Sequence, residues 1–520
     1  MKKPAPPPIP NRRGGGVLLS VTSLPSRFGI GDLGPAARTW IDQLAAAGQT
    51  WWQILPVGPP GAGDSPYTAY STFAGSTLLI SPEDLVADGL LRASDLDGAP
   101  AFADGVADYD RARPWRDGLL RRAWEDFGKG ASASWRKGLE AFNAAEAAWL
   151  DDWALYAALK ESFGGAAWTA WPDEIRLRRP AALAKARETL APACAEHRFR
   201  QFLWFRQWTA LKAYAAARRV KLLGDMPIFV AGDSCDAWAS PDVFLLDADR
   251  RPTAVAGVPP DYFAKNGQFW GNPLYDWDAL KRDGYAWWIR RARHAARLFD
   301  LTRLDHFRGF KAAWHIPAGA KTAREGRWFA GPGADFLAAL RRAMGSLPFL
   351  AEDLGIITPA VQTLREQFSL PGMRILQFAF VDDPENPFLP HNYDRNTAVY
   401  TGTHDNNTTA GWWADLPDAD RHFVRVYLRT DGRDIVWELI RLAWGSVADI
   451  AIVPLQDVLI LDGSARMNVP GLAKGNWAWR VSPAHPVADR LAGLRGLSAQ
   501  FNRLPMVRGI AADEEQEPEE

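Results

Sequence analysis

The chain has 520 residues, more than one small core requires, and its 60 basic and 61 acidic residues leave a net charge of −1. That balance argues against nucleic acid or an anionic membrane as partner, and no apolar run of about 18 residues is present to span a bilayer. Two cysteines, Cys194 and Cys235, make neither a disulfide framework nor a metal cluster, and fit a reducing cytoplasm.

Residues 1–16 are Pro-rich and then Gly-rich, with no apolar signal core, and read as a flexible tail. Residues 17–21 read as a buried strand, 22–34 as a loop, 35–47 as a helix opened by Pro35, and 51–55 as a second strand ended by Pro56. Strand, helix, strand is the opening of a parallel α/β fold. Residues 58–67 form a rigid, turn-rich loop, and Tyr67 and Tyr70 read equally well as stacking on a ligand there or as part of a loop packed on itself. From about 81 to 217 the spacing is helical, and roughly 160 residues separate strands two and three, far beyond a normal crossover. The segment is therefore expected to be a mainly helical insertion.

Strands resume at 220–225. A loop-rich cleft subdomain follows at about 230–280, where the exposed-looking Trp270 suggests a lid or rim. Helices at 283–298 and 336–344 lead to strands ending near Asp305 and Glu352. Candidate strands at 374–380, 397–401 and 450–454 bring the number to eight. A helix at 487–502 closes the chain before an acidic tail at 503–520. The expectation is an α/β fold, a (β/α)₈ barrel over residues 17–502 with large helical insertions. Most of the 25 tryptophans are expected in its core, though aromatic faces also stack on sugars.

Four apolar runs end in an acid: residues 221–225, 301–305, 348–353 and 398–405. One such acid reads equally well as a surface ion pair or helix cap. Four in chain order fit better as strand ends converging on a barrel's active site. Two carboxyls, one charged and one protonated, are what glycosidic bond cleavage needs. Asp305, beside Arg303, suits a nucleophile, because nearby cations favour a charged carboxylate. Glu352, next to Asp353 after an apolar strand, suits a general acid. Asp405, beside His404, suits a grip on sugar hydroxyls, and His306 is either a similar contact or a structural partner. Metal-dependent hydrolysis through Asp225, Asp305, Glu352, Asp405 and the histidines lacks an HxH or HExxH signature.

Nine stretches together resemble one family. They are Ser-Leu-Pro-Ser at 23–26, Gly-Asp-Ser-Pro-Tyr at 63–67, Gly-Asp-Met-Pro-Ile-Phe-Val at 224–230 and Gly-Gln-Phe-Trp-Gly-Asn-Pro at 267–273; then Asp-His-Phe-Arg-Gly at 305–309, Ala-Glu-Asp-Leu-Gly at 351–355, Thr-Gly-Thr-His-Asp-Asn at 401–406, Pro-Leu-Gln-Asp at 454–457 and Ala-Arg-Met-Asn at 465–468. From about 16 to 502 the chain resembles the amylomaltases, 4-α-glucanotransferases of glycoside hydrolase family 77 in the α-amylase clan. The resemblance implies a barrel with no separate C-terminal β-sandwich domain. It implies Asp305 as nucleophile, Glu352 as acid and base, and Asp405 as transition-state stabiliser. Arg303, His306, His404 and Asp225 would line the donor site, with Tyr67 and Trp270 stacking on either side. The implied partners are maltooligosaccharides and α-1,4-glucans, with glucose as an acceptor, and no cofactor or metal. Residues 255–270 match the family's mobile cleft loop. Ala62, Lys265 and Ser464 depart from its commoner Tyr, Glu and Glu. The alternatives are an α-glucan hydrolase on the same scaffold and a non-catalytic glucan-binding protein. The second would be expected to lack one of the three acids, and all three are present.

Overall fold

The computed structural model describes residues 13–260, 265–381 and 383–505. Its strands are β1 (Gly14–Leu18), β2 (Trp51–Gln53), β3 (Lys221–Pro227), β4 (Ala254–Val258), β5 (Gln268–Pro273) and β6 (Leu301–Asp305); then β7 (Ala312–Pro317), β8 (Arg327–Ala330), β9 (Phe349–Ala351), β10 (Gly372–Ile375), β11 (Thr397–Tyr400) and β12 (Ile450–Pro454). Eight of them form a parallel sheet in the order β10-β11-β12-β1-β2-β3-β6-β9. The Ala351 N–H donates to the Pro371 carbonyl at 2.9 Å, and the Met373 N–H to Asp353 Oδ1 at 2.7 Å, which ties the β9 edge to the β10 edge. The sheet is thus a nearly closed (β/α)₈ barrel.

Period-two alternation sorts its side chains into two layers. Leu18, Leu223, Leu301, Leu350, Ile375 and Ile452 fall in one apolar cluster inside the barrel. Val17, Leu222, Phe349 and Val453, one residue away, join the larger cluster packed against helices. Between β2 and β3 lie the long helices Tyr109–Gly130, Ala133–Ser162 and Ala191–Ala217. Among the described residues, no helix is long and apolar enough to cross a membrane.

Four expectations need correction. The tail expected over 1–16 ends earlier, because Gly14 to Gly16 are already in β1. A Cβ on Gly16 would stand 2.4 Å from the Trp51 carbonyl, so this strand needs glycine to let its neighbour approach. At the other end Arg503 is fully buried, not part of a tail. The expectations for residues 1–12 and 506–520 lie outside the described residues. The strand expected over 374–380 stops at Ile375, where a 3₁₀ turn, Leu376–Phe378, begins. Finally, the loop-rich 230–280 segment contains β4 and β5, which join β7 and β8 in an antiparallel sheet ordered β5-β4-β7-β8. Residues 255–270 are largely a β-hairpin of that sheet, with 261–264 outside the described residues.

Candidate active site

The inward face of the barrel changes character within two residues at the C-terminal ends of its strands. Leu223, Leu301 and Leu350 are apolar and fully buried, and two positions further along the same face come Asp225, Arg303 and Glu352. Asp305 follows Arg303 by another two. In the ladders Asp225 lies opposite Arg303, Pro227 opposite Asp305, and Arg303 opposite Leu350. Neighbouring strands run about 4.8 Å apart, so aligned inward side chains meet.

Arg303 is the hub. Its Nη1 donates to both Asp225 oxygens at 3.0 and 2.9 Å, and its Nη2 pairs with Asp305 Oδ1 at 2.8 Å. Burial works against the guanidinium charge, but the Asp225 and Asp305 carboxylates hold its pKa well above the ordinary value. The Tyr67 hydroxyl donates to Asp225 Oδ2 at 2.8 Å and stands 2.8 Å from His404 Nε2. Tyr67 therefore links the two sides of the barrel mouth.

Glu352 sits differently. Its Oε2 accepts from the His306 N–H at 2.7 Å and its Oε1 from the Leu354 N–H at 2.9 Å. Burial pushes its carboxyl up to about 7; Arg303 and the two N–H groups pull the other way, and the Asp305 charge adds to the rise. His306 is left-handed, with φ of 56°, a conformation uncommon outside glycine. That turn carries its N–H to Glu352 and sets its ring edge-on to Trp270, with centroids 4.8 Å apart. Burial holds the His306 imidazole down at about 4, so it is neutral at neutral pH.

On the far wall, β11 delivers His404 and Asp405. The Asp405 side chain is 45% exposed and opens to the cleft, with His404 Nε2 3.3 Å from its Oδ2. Partial desolvation works against its charge, but the His404 charge and hydrogen bond and the Asn468 amide hold it well below the usual carboxylate range. Asn468 Nδ2 donates to Asp405 Oδ1 at 2.6 Å, and Arg466 Nη2 donates to the Asp405 carbonyl at 2.6 Å. Beneath them the buried Asp457 carboxylate accepts from Thr401 Oγ1 at 2.7 Å and from Thr409 N–H and Oγ1 at 2.7 and 2.6 Å, which pins the loop.

A sequence profile described as 4-alpha-glucanotransferase, glycoside hydrolase family 77, matches residues 19–485. The 4-alpha-glucanotransferase of Thermus thermophilus is 48% identical over 497 residues, covering 94% of this chain and 99% of its own. That of Synechocystis is 49% identical, covering 91% and 94%. Among solved structures, the amylomaltase from Streptococcus agalactiae in complex with acarbose superposes with a TM-score of 0.92 at 36% identity, covering 95% of this chain and 100% of that one.

The chain belongs to the 4-α-glucanotransferase family.

It is thus a glycosyltransferase acting on α-glucans. The candidate residues of this 4-α-glucanotransferase come together as one connected group, with Tyr67 joining through its hydroxyl and Trp270 through His306. Tyr70 lies apart: Lys160 Nζ stands 4.6 Å over its ring. Sequence reasoning missed Asn468 and Arg466 as site residues. They stand in a loop after β12, and only their presence in the Ala-Arg-Met-Asn stretch pointed to them. Of the departures, Ala62 and Ser464 are exposed in short turns. Lys265 is exposed in the hairpin, its carbonyl accepting from Arg324 Nη2 at 2.7 Å.

Proposed function

We propose that the chain moves α-1,4-glucan segments from a donor to the 4-hydroxyl of an acceptor glucan or of glucose, with retention, through a glucosyl group held covalently on Asp305. In the first step the Asp305 carboxylate attacks the anomeric carbon while the Glu352 carboxyl protonates the departing 4-oxygen. In the second, ionised Glu352 takes the proton of the acceptor 4-hydroxyl, whose oxygen attacks the same carbon and frees Asp305. Asp405, charged and braced by His404 and Asn468, accepts hydrogen bonds from ring hydroxyls as the sugar flattens. Arg303 fixes Asp305, and neutral His306 and Trp270 line the donor site opposite Tyr67.

The observation that carries this reading is the pairing of Asp305 and Glu352 on adjacent strands at one level, one ion-paired to Arg303 and the other pushed up to about 7. Retention requires carboxyls roughly 5–5.5 Å apart, and adjacent strand ends are where such a pair can stand. The acarbose complex of the Streptococcus agalactiae relative supports a glucan-like ligand in this cleft. The hairpin that carries Trp270 is placed to keep water from the glucosyl-enzyme until an acceptor arrives. The chemistry uses two carboxyls and calls for no cofactor. We place the enzyme in the cytoplasm, where its two free, buried cysteines fit.

Incubation with pure maltotriose, resolving products by length, tests the assignment. Glucose together with a ladder of oligomers longer than maltotriose is expected. Glucose and maltose alone, with steadily rising reducing ends, would mean that water is the acceptor and would refute transfer.

A further inference from the structure

A second cavity, of about 300 Å³, lies between the helical layer and the barrel, and none of the residues of the catalytic group lines it. That is the lower end of the size range for small-molecule sites, about 300–1,000 Å³. Phe73, Trp149 and Trp287 supply aromatic surface. The ring of Phe73 stacks with that of Trp149 at a centroid distance of 6.3 Å and meets Trp287 edge-on at 6.2 Å.

The opening is basic. Arg290, Arg293 and Arg297 recur at three- and four-residue spacing on the helix Ala286–Leu298 and line the cavity, all exposed. Residues so spaced share a helix face. The acids at the cavity are already engaged. Glu146 pairs with Arg297 and accepts from Trp149 Nε1 at 2.6 Å; Asp152 pairs with Arg178 at 2.9 Å. Buried Asp236 accepts from the Thr72 N–H and Oγ1, both at 2.8 Å. Arg293 donates to the Ala343 carbonyl at 2.8 Å and meets no carboxylate, and Arg290 has no hydrogen bond or ion pair among the described residues. Two guanidinium charges therefore stand unneutralised over an aromatic recess.

We propose that this cavity is a binding site for a sugar phosphate, its hexose ring against Trp149 and Phe73 and its phosphate on Arg290 and Arg293. Arginine forks match phosphate oxygens in pairs, and the exposed mouth leaves that dianion partly hydrated. The ring enters a wall where the carboxylate oxygens of Glu146 and Asp236, each engaged once within the protein, keep second lone pairs to accept hydrogen bonds from sugar hydroxyls. The floor of the site is joined to the segment that continues from Tyr67, since the Cys235 N–H donates to the Tyr70 carbonyl at 2.7 Å.

Isothermal titration with glucose 6-phosphate, glucose and inorganic phosphate tests this. One equivalent of glucose 6-phosphate should bind the wild type, with glucose and phosphate each at least tenfold weaker. Arg290→Glu should weaken glucose 6-phosphate at least tenfold and leave maltotriose turnover unchanged, whereas Asp305→Asn should leave its binding unchanged. Absence of binding, equal affinity for glucose or for phosphate alone, or loss through Asp305→Asn with none through Arg290→Glu would each overturn the proposal.

Discussion

The two ends of the barrel each hold a buried arginine, and the arginines do opposite work. At the C-terminal end Arg303 faces carboxylates, Asp225 and Asp305, which keep its charge firmly in place. At the N-terminal end Arg503 faces carbonyls. Its Nε donates to Trp444 at 2.8 Å, its Nη1 to Gly14 at 3.2 Å, and its Nη2 to Ala448 and Ser446 at 2.9 and 3.2 Å. Burial there pulls its pKa down to about 9, with Arg13 nearby adding to the fall and Asp449 opposing it. One guanidinium is set among acids so that charge is defined where bonds are to change. The other satisfies backbone acceptors and laces the last described residues to the start of β1. The difference teaches that burial of a charge marks a functional end only when its partners are themselves ionisable and open to a cleft.

Substitutions sharpen this contrast. The largest effect is expected from Asp305→Asn, which should lower initial rates on maltotriose by about 10⁴-fold or more while glucan binding, read by titration, is largely kept. Arg303→Met should come next, with kcat/KM down by about 10³-fold and stability down by about 3–5 kcal/mol in urea unfolding, because two carboxylates lose their cation. Asn468→Ala removes one hydrogen bond from Asp405 and should cost about tenfold in kcat, with KM little changed. Arg503→Met should give the smallest effect on activity: a stability loss on the order of 3 kcal/mol from unpaired carbonyls, with kcat per folded molecule unchanged. An Arg503→Met enzyme that folds fully but is inactive would break the comparison.

The pH dependence follows from Glu352. As the acid of the first step it must be protonated, so kcat/KM should fall on the alkaline side with an apparent pKa near 7. The stability sign is consistent with this. A carboxyl raised in the folded state contributes stability fully present below its unfolded value, about 4.3, and lost as pH rises through about 7. A limb unmoved from the ordinary carboxylate range would contradict the buried, protonated Glu352.

The catalytic end was legible in the sequence because its residues are local to strands. Asp225, Asp305 and Glu352 stand at the ends of apolar runs, Arg303 lies two positions before Asp305, and period two puts all four on the inward face. The resemblance then assigned their roles. What escaped was carried by residues whose reason lies elsewhere in the chain. Gly14 to Gly16 look like a tail until Trp51 and Trp444 are seen packed against them. The antiparallel sheet was hidden by Gly257, Gly271 and Pro273, which interrupt alternation in β4 and β5. Asn468 reaches Asp405 across 63 positions, and Arg503 reaches Gly14 across 489. No local pattern encodes either contact.

The most direct test of the central claim is to trap the glucosyl-enzyme. In Glu352→Gln, α-maltotriosyl fluoride brings its own leaving group, so the first step needs no acid, while the second lacks its base. Intact-mass and peptide analysis should then find one maltotriosyl adduct, on the peptide containing Asp305. An adduct on another carboxylate, or turnover of the fluoride with no covalent species, would contradict the account.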